Sequence, residues 1–193
     1  SMQQRVAAAV YSPNDEVGDA HAFSRGLVSW LRENRSVEVC LGKHIESLAI
    51  SDKRLAAVRT KDGDIPVDAA VACLGPWSST LLRPLGINPH IYPVRGYSVT
   101  LPLGPATPSV SITNSEQRIV FSTLGDKVRI AGFADFLGYD TGHDEARLRD
   151  LLQVARRLAP LAADYDGAEQ HAWGGFRPVT PDSRPVVGAT KIE

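Results

Sequence analysis

The chain has 193 residues, a formal net charge of −1, and 43% hydrophobic against 22% charged residues. This is the composition of a soluble globular protein that buries roughly 70% of its unfolded surface and makes one large domain or two small ones, at about 150 residues per domain. It excludes a basic nucleic-acid footprint, no run approaches the ~18 apolar residues of a membrane span, and no signal peptide is visible. Ser1-Met2 reads as a cloning scar, so the natural protein is expected to begin earlier. Cys40 and Cys73 form no CxxC motif, which argues for a reduced, cytoplasmic setting and against zinc.

In chain order, "YSPNDEVGDAHAFSRGLVSWLRENRSVEV" opens as a polar turn and becomes a helix. Phe23, Leu27, Trp30 and Leu31 fall on one stripe, Asp19 suits the N-cap, and the helix should fray near Asn34. "VEVCL" then reads as a strand. From Lys43 to Leu74 the pattern is β: Ile45, Leu48 and Ile50, a polar turn at Asp52-Lys53, "LAAVRT", and a hairpin signal at Asp62-Gly63. "VDAAVACLG" is a nearly continuous run of small apolar residues. That is the pattern of a strand buried on both faces in a parallel sheet, and Gly75-Pro76 breaks it. The strand at 67–74 has no βαβ partner in this chain, a first sign that a piece is missing.

Further on, "YPVRGYSVT", "RIVFST" and "KVRIAGFAD" read as strands, with Leu124-Gly125-Asp126 closing the hairpin between the last two. "DEARLRDLLQVARRLAP" is the strongest helix. Asp144 and Glu145 favour its N-terminus, Arg156 and Arg157 its C-terminus, Leu148, Leu151, Leu152 and Ala155 form its stripe, and Pro160 stops it. "WGGFRPVTPDSRPVVG" is too proline-rich for a helix and too glycine-rich for a central strand. The fold class is therefore α+β, with a mixed, largely antiparallel sheet and flanking helices.

Several catalytic patterns are absent: GxGxxG after a strand, a Walker loop, HExxH and GxSxG. His21, His44, His90, His143 and His171 lack ligand spacing and read as surface or core residues, so no metal site is expected. Four segments remain, each with a plain reading of its own. Residues 12–19 suit a capped turn, 72–79 a strand ending in a glycine turn, 92–100 a strand, and 174–185 a rigid surface loop.

Taken together and in this order, the segments resemble the FAD-dependent D-amino-acid oxidase superfamily, and within it the D-amino acid dehydrogenase (small subunit) branch. The resemblance rests on Pro13-Asn14-Asp15-Glu16-Val17-Gly18-Asp19, on Pro93-Val94-Arg95-Gly96-Tyr97-Ser98, and on Gly175-Phe176-Arg177-Pro178-Val179-Thr180-Pro181-Asp182. It covers nearly the whole chain. It implies a remnant of an FAD-binding α/β domain over residues 1–83, a substrate-binding domain over 84–172, and a segment at 173–193 returning to the FAD side. The superfamily's opening βαβ unit, whose glycine-rich turn holds the FAD pyrophosphate at a helix N-terminus, has no counterpart here. Its closing glycine-histidine-glycine segment has none either. The chain is thus expected to be the middle of a longer flavoenzyme and not to bind FAD alone.

The resemblance places the carboxylate-anchoring arginine at Arg177. The chemistry agrees, because a guanidinium is a planar fork that grips a carboxylate through two parallel hydrogen bonds and so fixes orientation. Gly174, Gly175 and Pro178 would let the backbone approach the flavin closely and stay stiff. Gly75 matches a glycine beside the FAD ribose or pyrophosphate. Ile45 aligns with a backbone position at the adenine, with core packing equally open. Tyr97 either lines the substrate pocket or supports the sheet. Thr180 and Asp182 are expected to pin the loop through side-chain to backbone bonds, Trp77 to pack in the core, and Asp15, Glu16 and Asp19 to cap and close the turn.

The implied reaction oxidises a D-amino acid to an imino acid with hydride passing to FAD, and water then releases 2-oxo acid and ammonia. No protein base is required if the amine reacts in its neutral form. In the dehydrogenase branch the electrons go on to the respiratory chain, so the expected location is cytoplasmic, with a peripheral position at the inner face of a bacterial membrane also open. Two alternatives stand beside this: a glycine- or sarcosine-type amine oxidase fragment, and a non-catalytic small-molecule-binding module. The orphan strand argues against the module, since a free-standing domain should not leave a two-faced apolar strand half covered.

Overall fold

The computed structural model describes residues 6–142, 145–167 and 170–192. Ser1-Met2, His143 and Asp144, named above, lie outside the described residues. The chain divides into two compact units, one of Ser1–Leu27 with Arg95–Phe176, the other of Val28–Val94 with Arg177–Glu193.

Helix α1 (Ala20–Asn34) starts where the sequence places its cap. The Asp19 carboxylate accepts from the N–H groups of His21 at 2.9 Å and Ala22 at 3.2 Å, closing two of the orphan donors of the first turn. The Ala22 N–H is the main reason the Asp19 carboxyl is held below its ordinary range. The apolar stripe stays exposed, with Phe23 at 70%, and no residue of α1 is buried.

In the second unit, β1 (Ile45–Ser51), β2 (Arg54–Thr60) and β3 (Gly63–Pro66) form an antiparallel meander in that order. Asp52 and Lys53 both take positive φ, the conformation that a tight hairpin turn needs. Thr60 Oγ1 accepts from the Asp62 N–H and donates to the Gly63 carbonyl, fixing the next turn. Two expected strands are corrected here. "VEVCL" is not a strand, and the returning arm of the Asp62-Gly63 hairpin is β3, which stops at Pro66. Residues 67–74 then run as exposed coil, with Val71 at 88% exposure. A parallel strand exists only between neighbours, and no described strand pairs with this one. Gly75 turns the chain into the short helix α2 (Trp77–Leu82), followed by a 3-10 turn at Arg83–Leu85. Trp77 is not a core residue as expected but 47% exposed.

The larger sheet comprises β4 (Tyr92–Pro102), β5 (Ile112–Asn114), β6 (Ile119–Leu124), β7 (Lys127–Asp135) and β8 (His171–Val179), in the order β5-β6-β7-β4-β8. The β5–β6, β6–β7 and β4–β7 pairs are antiparallel. Buried and partly exposed residues alternate along β7, as a sheet with one covered face requires. Helix α3 (Glu145–Leu158) lies against β7. Its Leu148, Leu151 and Ala155 join Val99, Leu101, Ile119, Phe121, Val128 and Ile130 in one core, and Leu152 packs at its margin. β8 is the edge strand. That reconciles the proline at 178 with a strand, because an edge position tolerates a missing N–H.

Candidate functional site

In the second unit, Arg177 stands on β8 with its side chain exposed. Beyond it the chain is locked: Thr180 Oγ1 donates to the Arg184 carbonyl at 2.7 Å, and the Arg184 N–H donates to Asp182 Oδ1 at 3.2 Å. The Ser183 N–H closes the same turn onto the Thr180 carbonyl at 3.1 Å. These are the pinning roles expected of Thr180 and Asp182. They give the strand that carries Arg177 a stiff exit.

The same unit holds Gly75 and Ile45. Gly75 has φ +54°, and the space where a Cβ would sit has no atom within 4 Å. Its backbone is therefore both conformationally demanding and open to an approaching ligand. Ile45 opens β1 opposite Thr60 and is exposed.

A flavin dinucleotide also needs donors for its pyrophosphate, and the turn at 74–79 has few to spare. The N–H groups of Trp77, Ser78 and Ser79 turn inward onto the carbonyls of Leu74, Gly75 and Pro76. Ser78 Oγ accepts from the Leu74 N–H, and Ser79 Oγ bridges both backbone groups of Ile91. This turn thus suits a backbone contact at Gly75 and does not itself build a phosphate cradle.

Tyr97 and Gly175 belong to the other unit. Tyr97 is 2% exposed and part of the core, with its ring 5.4 Å from the Arg95 guanidinium. That burial favours the structural side of its two readings. At Gly175 a Cβ would collide with the indole of Trp173, which lies across it. The missing side chain at 175 is used by Trp173.

Sequence reasoning missed a polar cluster at the end of β7. Arg147 donates from Nε to Asp135 Oδ2 and from Nη2 to Asp135 Oδ1, each at 2.8 Å, and its guanidinium lies 4.0 Å from the centre of the Phe133 ring. This pair holds the Asp135 carboxyl below the usual carboxylate range, with the Tyr97 hydroxyl helping and burial opposing. The only trace in the sequence is an arginine in the first turn of α3, which opposes the helix dipole but does not point to its partner.

The chain belongs to the family described as FAD dependent oxidoreductase, which matches residues 2–192. It is similar to a D-amino acid dehydrogenase of Paramagnetospirillum magneticum, 43% identical over all of this chain and 45% of that protein. A D-amino acid dehydrogenase of Vibrio cholerae is 36% identical over 98% of this chain and again 45% of the relative. The chain thus spans about half the length of the curated relatives it matches. Among solved structures, iminodiacetate oxidase from Chelativorans sp. BNC1 aligns with TM-score 0.65 at 24% identity, covering 78% of this chain and 41% of that one. Glycine oxidase from Geobacillus kaustophilus aligns with TM-score 0.64 at 21% identity, over 77% and 39%. At these identities the structural likeness establishes the fold, a mixed α+β architecture with antiparallel sheets.

Proposed function

We propose that this chain is the central portion of an FAD-dependent D-amino acid dehydrogenase, and that Arg177 binds the substrate carboxylate. The supporting observation is likeness along the whole chain, at 43% identity, to a protein of that name. An exposed guanidinium on a strand with a pinned exit suits the role. Its two parallel N–H donors grip the carboxylate, and Pro178 limits backbone motion beside it, so the substrate is held in one orientation. FAD, when bound, supplies the two-electron oxidation of the substrate. Gly75 and Ile45 are this chain's proposed contacts to it, through backbone, with Gly175 a weaker third because Trp173 already covers it. The phosphate cradle has to come from polypeptide outside this chain, so the isolated chain should purify without flavin colour. Electrons would pass to a respiratory-chain acceptor, with the protein in the cytoplasm or at the inner face of the membrane.

The test uses the full-length flavoprotein and D-alanine-dependent dye reduction. Arg177→Ala should raise KM and lower kcat/KM about thirtyfold, the equivalent of ~2 kcal/mol for a lost charge-assisted pair. Arg177→Lys should recover part of the loss, because charge returns without the fork. Unchanged kinetics in Arg177→Ala would remove the anchoring role. Glycine and sarcosine run in parallel separate this reading from an amine oxidase, and oxygen uptake against dye or quinone reduction separates the acceptors.

A further inference from the structure

Arg95 belongs to the "PVRGYS" strand, and the reaction just proposed gives it no part. It is nonetheless the most deeply buried charged residue described, at 5% exposure. Burying a guanidinium is costly unless its donors are occupied, so what occupies them is informative. Arg95 Nη1 donates to the Asp140 carbonyl at 2.8 Å, and Nη2 to the Thr141 carbonyl at 3.2 Å. These carbonyls lie 45 and 46 residues away, on the loop between β7 and α3. No carboxylate lies within ion-pair distance of Arg95 among the described residues; its electrostatic partner is Asp135, whose carboxyl the Arg95 charge helps to lower. Both bonds go to backbone, so what they fix is the path of a loop.

The other side of the same guanidinium faces β8. A Cβ added at Gly174 would lie 3.2 Å from Arg95 Nη2 and 3.4 Å from Nε, so the side chain fills the space that Gly174 leaves. Gly174 is three residues before Arg177 on the same strand. The register beside Arg95 is also irregular. Arg95 opposes Asp135, whereas Tyr97 opposes Gly132, so β7 carries one extra residue there. Phe133 within that bulge has φ +64°, a left-handed conformation that a bulky residue holds only when its surroundings enforce it.

We propose that Arg95 is a positioning residue for Arg177. Wedged between the β7–α3 loop and β8 at Gly174, it sets the course of β8 and so the place where the Arg177 fork is presented. The inference rests on the substrate role proposed for Arg177. Lysine replaces Arg95 poorly, because an ammonium can reach the carbonyls but carries no planar group to cover Gly174 at the same time.

The test compares Arg95→Lys and Gly174→Ala with the wild type in the full-length flavoprotein, the second variant crowding the guanidinium without removing it. Both should raise KM for D-alanine several-fold with a smaller change in kcat, and weaken competitive inhibition by propionate in parallel. In an Arg177→Ala background, Arg95→Lys should add little further to KM. Amide exchange over 136–142 and 171–179 should accelerate tenfold or more in Arg95→Lys. Unchanged exchange in these segments overturns the bridge, whatever the enzyme's substrate. A full KM effect of Arg95→Lys persisting without Arg177 overturns the positioning role. A wild-type enzyme that oxidises no D-amino acid removes the function proposed for Arg177, and the positioning role with it, while the exchange result still decides the bridge.

Discussion

Asp135 and Arg147 show how much one side-chain pair can fix at the end of a strand. Asp135 is mostly covered, and its carboxyl is held below its ordinary value chiefly by the two Arg147 hydrogen bonds. A carboxyl whose folded pKa is depressed stabilises the protein above its unfolded pKa, near 4, and that contribution disappears as pH falls through the lower folded value. Arg147→Ala leaves the carboxylate half-buried without its partner and removes the cation over Phe133. The expected cost is about 2–3 kcal/mol near neutral pH. Denaturant unfolding followed against pH checks both parts. The variant should be clearly weaker at pH 7, and the gap to the wild type should narrow as the pH falls below the ordinary carboxylate range and Asp135 is protonated in both. A gap that stays constant across the acid range would assign the stabilisation to packing on Phe133 and not to the ion pair. The role proposed for Arg177 comes from its motif. The Arg147–Asp135 and Arg95–loop contacts were not readable in the sequence, because they join positions 12 and 45 residues apart and leave no local pattern.

At the level of elements, the contact of α3 with β7 is tight at one point. A Cβ on Gly132 would sit 3.0 Å from both Ile119 Cγ1 and Leu151 Cδ1, closer than side chains ordinarily pack. Gly132→Ala should therefore destabilise the unit by about 1–2 kcal/mol through overpacking. Leu151→Ala empties a fully buried site and should cost about 3 kcal/mol. Together they should cost less than the sum by about 1 kcal/mol, since the new methyl enters space that the leucine leaves. Chemical denaturation of the two single variants and the double variant measures this. Strict additivity would mean that the helix does not meet the sheet at Gly132. This helix and the strands β4, β6 and β7 were legible because their information is local: period, turn residues and a stop at Pro160. "VEVCL" and residues 67–74 have strand composition but no described partner, and composition does not hold a strand without one. The extra residue in β7 at Phe133 was hidden for a related reason, since a bulge is a property of two strands and not of either sequence.

Over the whole molecule, burial is uneven. The core gathers residues of the larger sheet and α3, while Phe23, Leu27 and Trp30 on α1 and Val71 in the 67–74 segment are exposed large apolar side chains. The relatives it matches are about twice as long, and in a protein of that length the further polypeptide would be available to cover them. The apolar run at 67–74 is the best indicator of how. Its composition suits a parallel strand, and such a strand becomes regular only when flanked on both edges. In the isolated chain, amides 67–74 should exchange near the unprotected rate and the peptide there should be the first cut by protease, while β6, β7 and α3 resist. In the full-length protein the same amides should gain protection of a hundredfold or more, about 2.7 kcal/mol of local stability. The comparison is informative because the sequence of the segment is identical in both proteins and only its neighbours differ. Protection that appears only in the longer protein would account for both the strand-like composition and the exposed coil. Equal, fast exchange in the two would mean that 67–74 is a loop in its own right, and the case for an interrupted parallel sheet would fall with it.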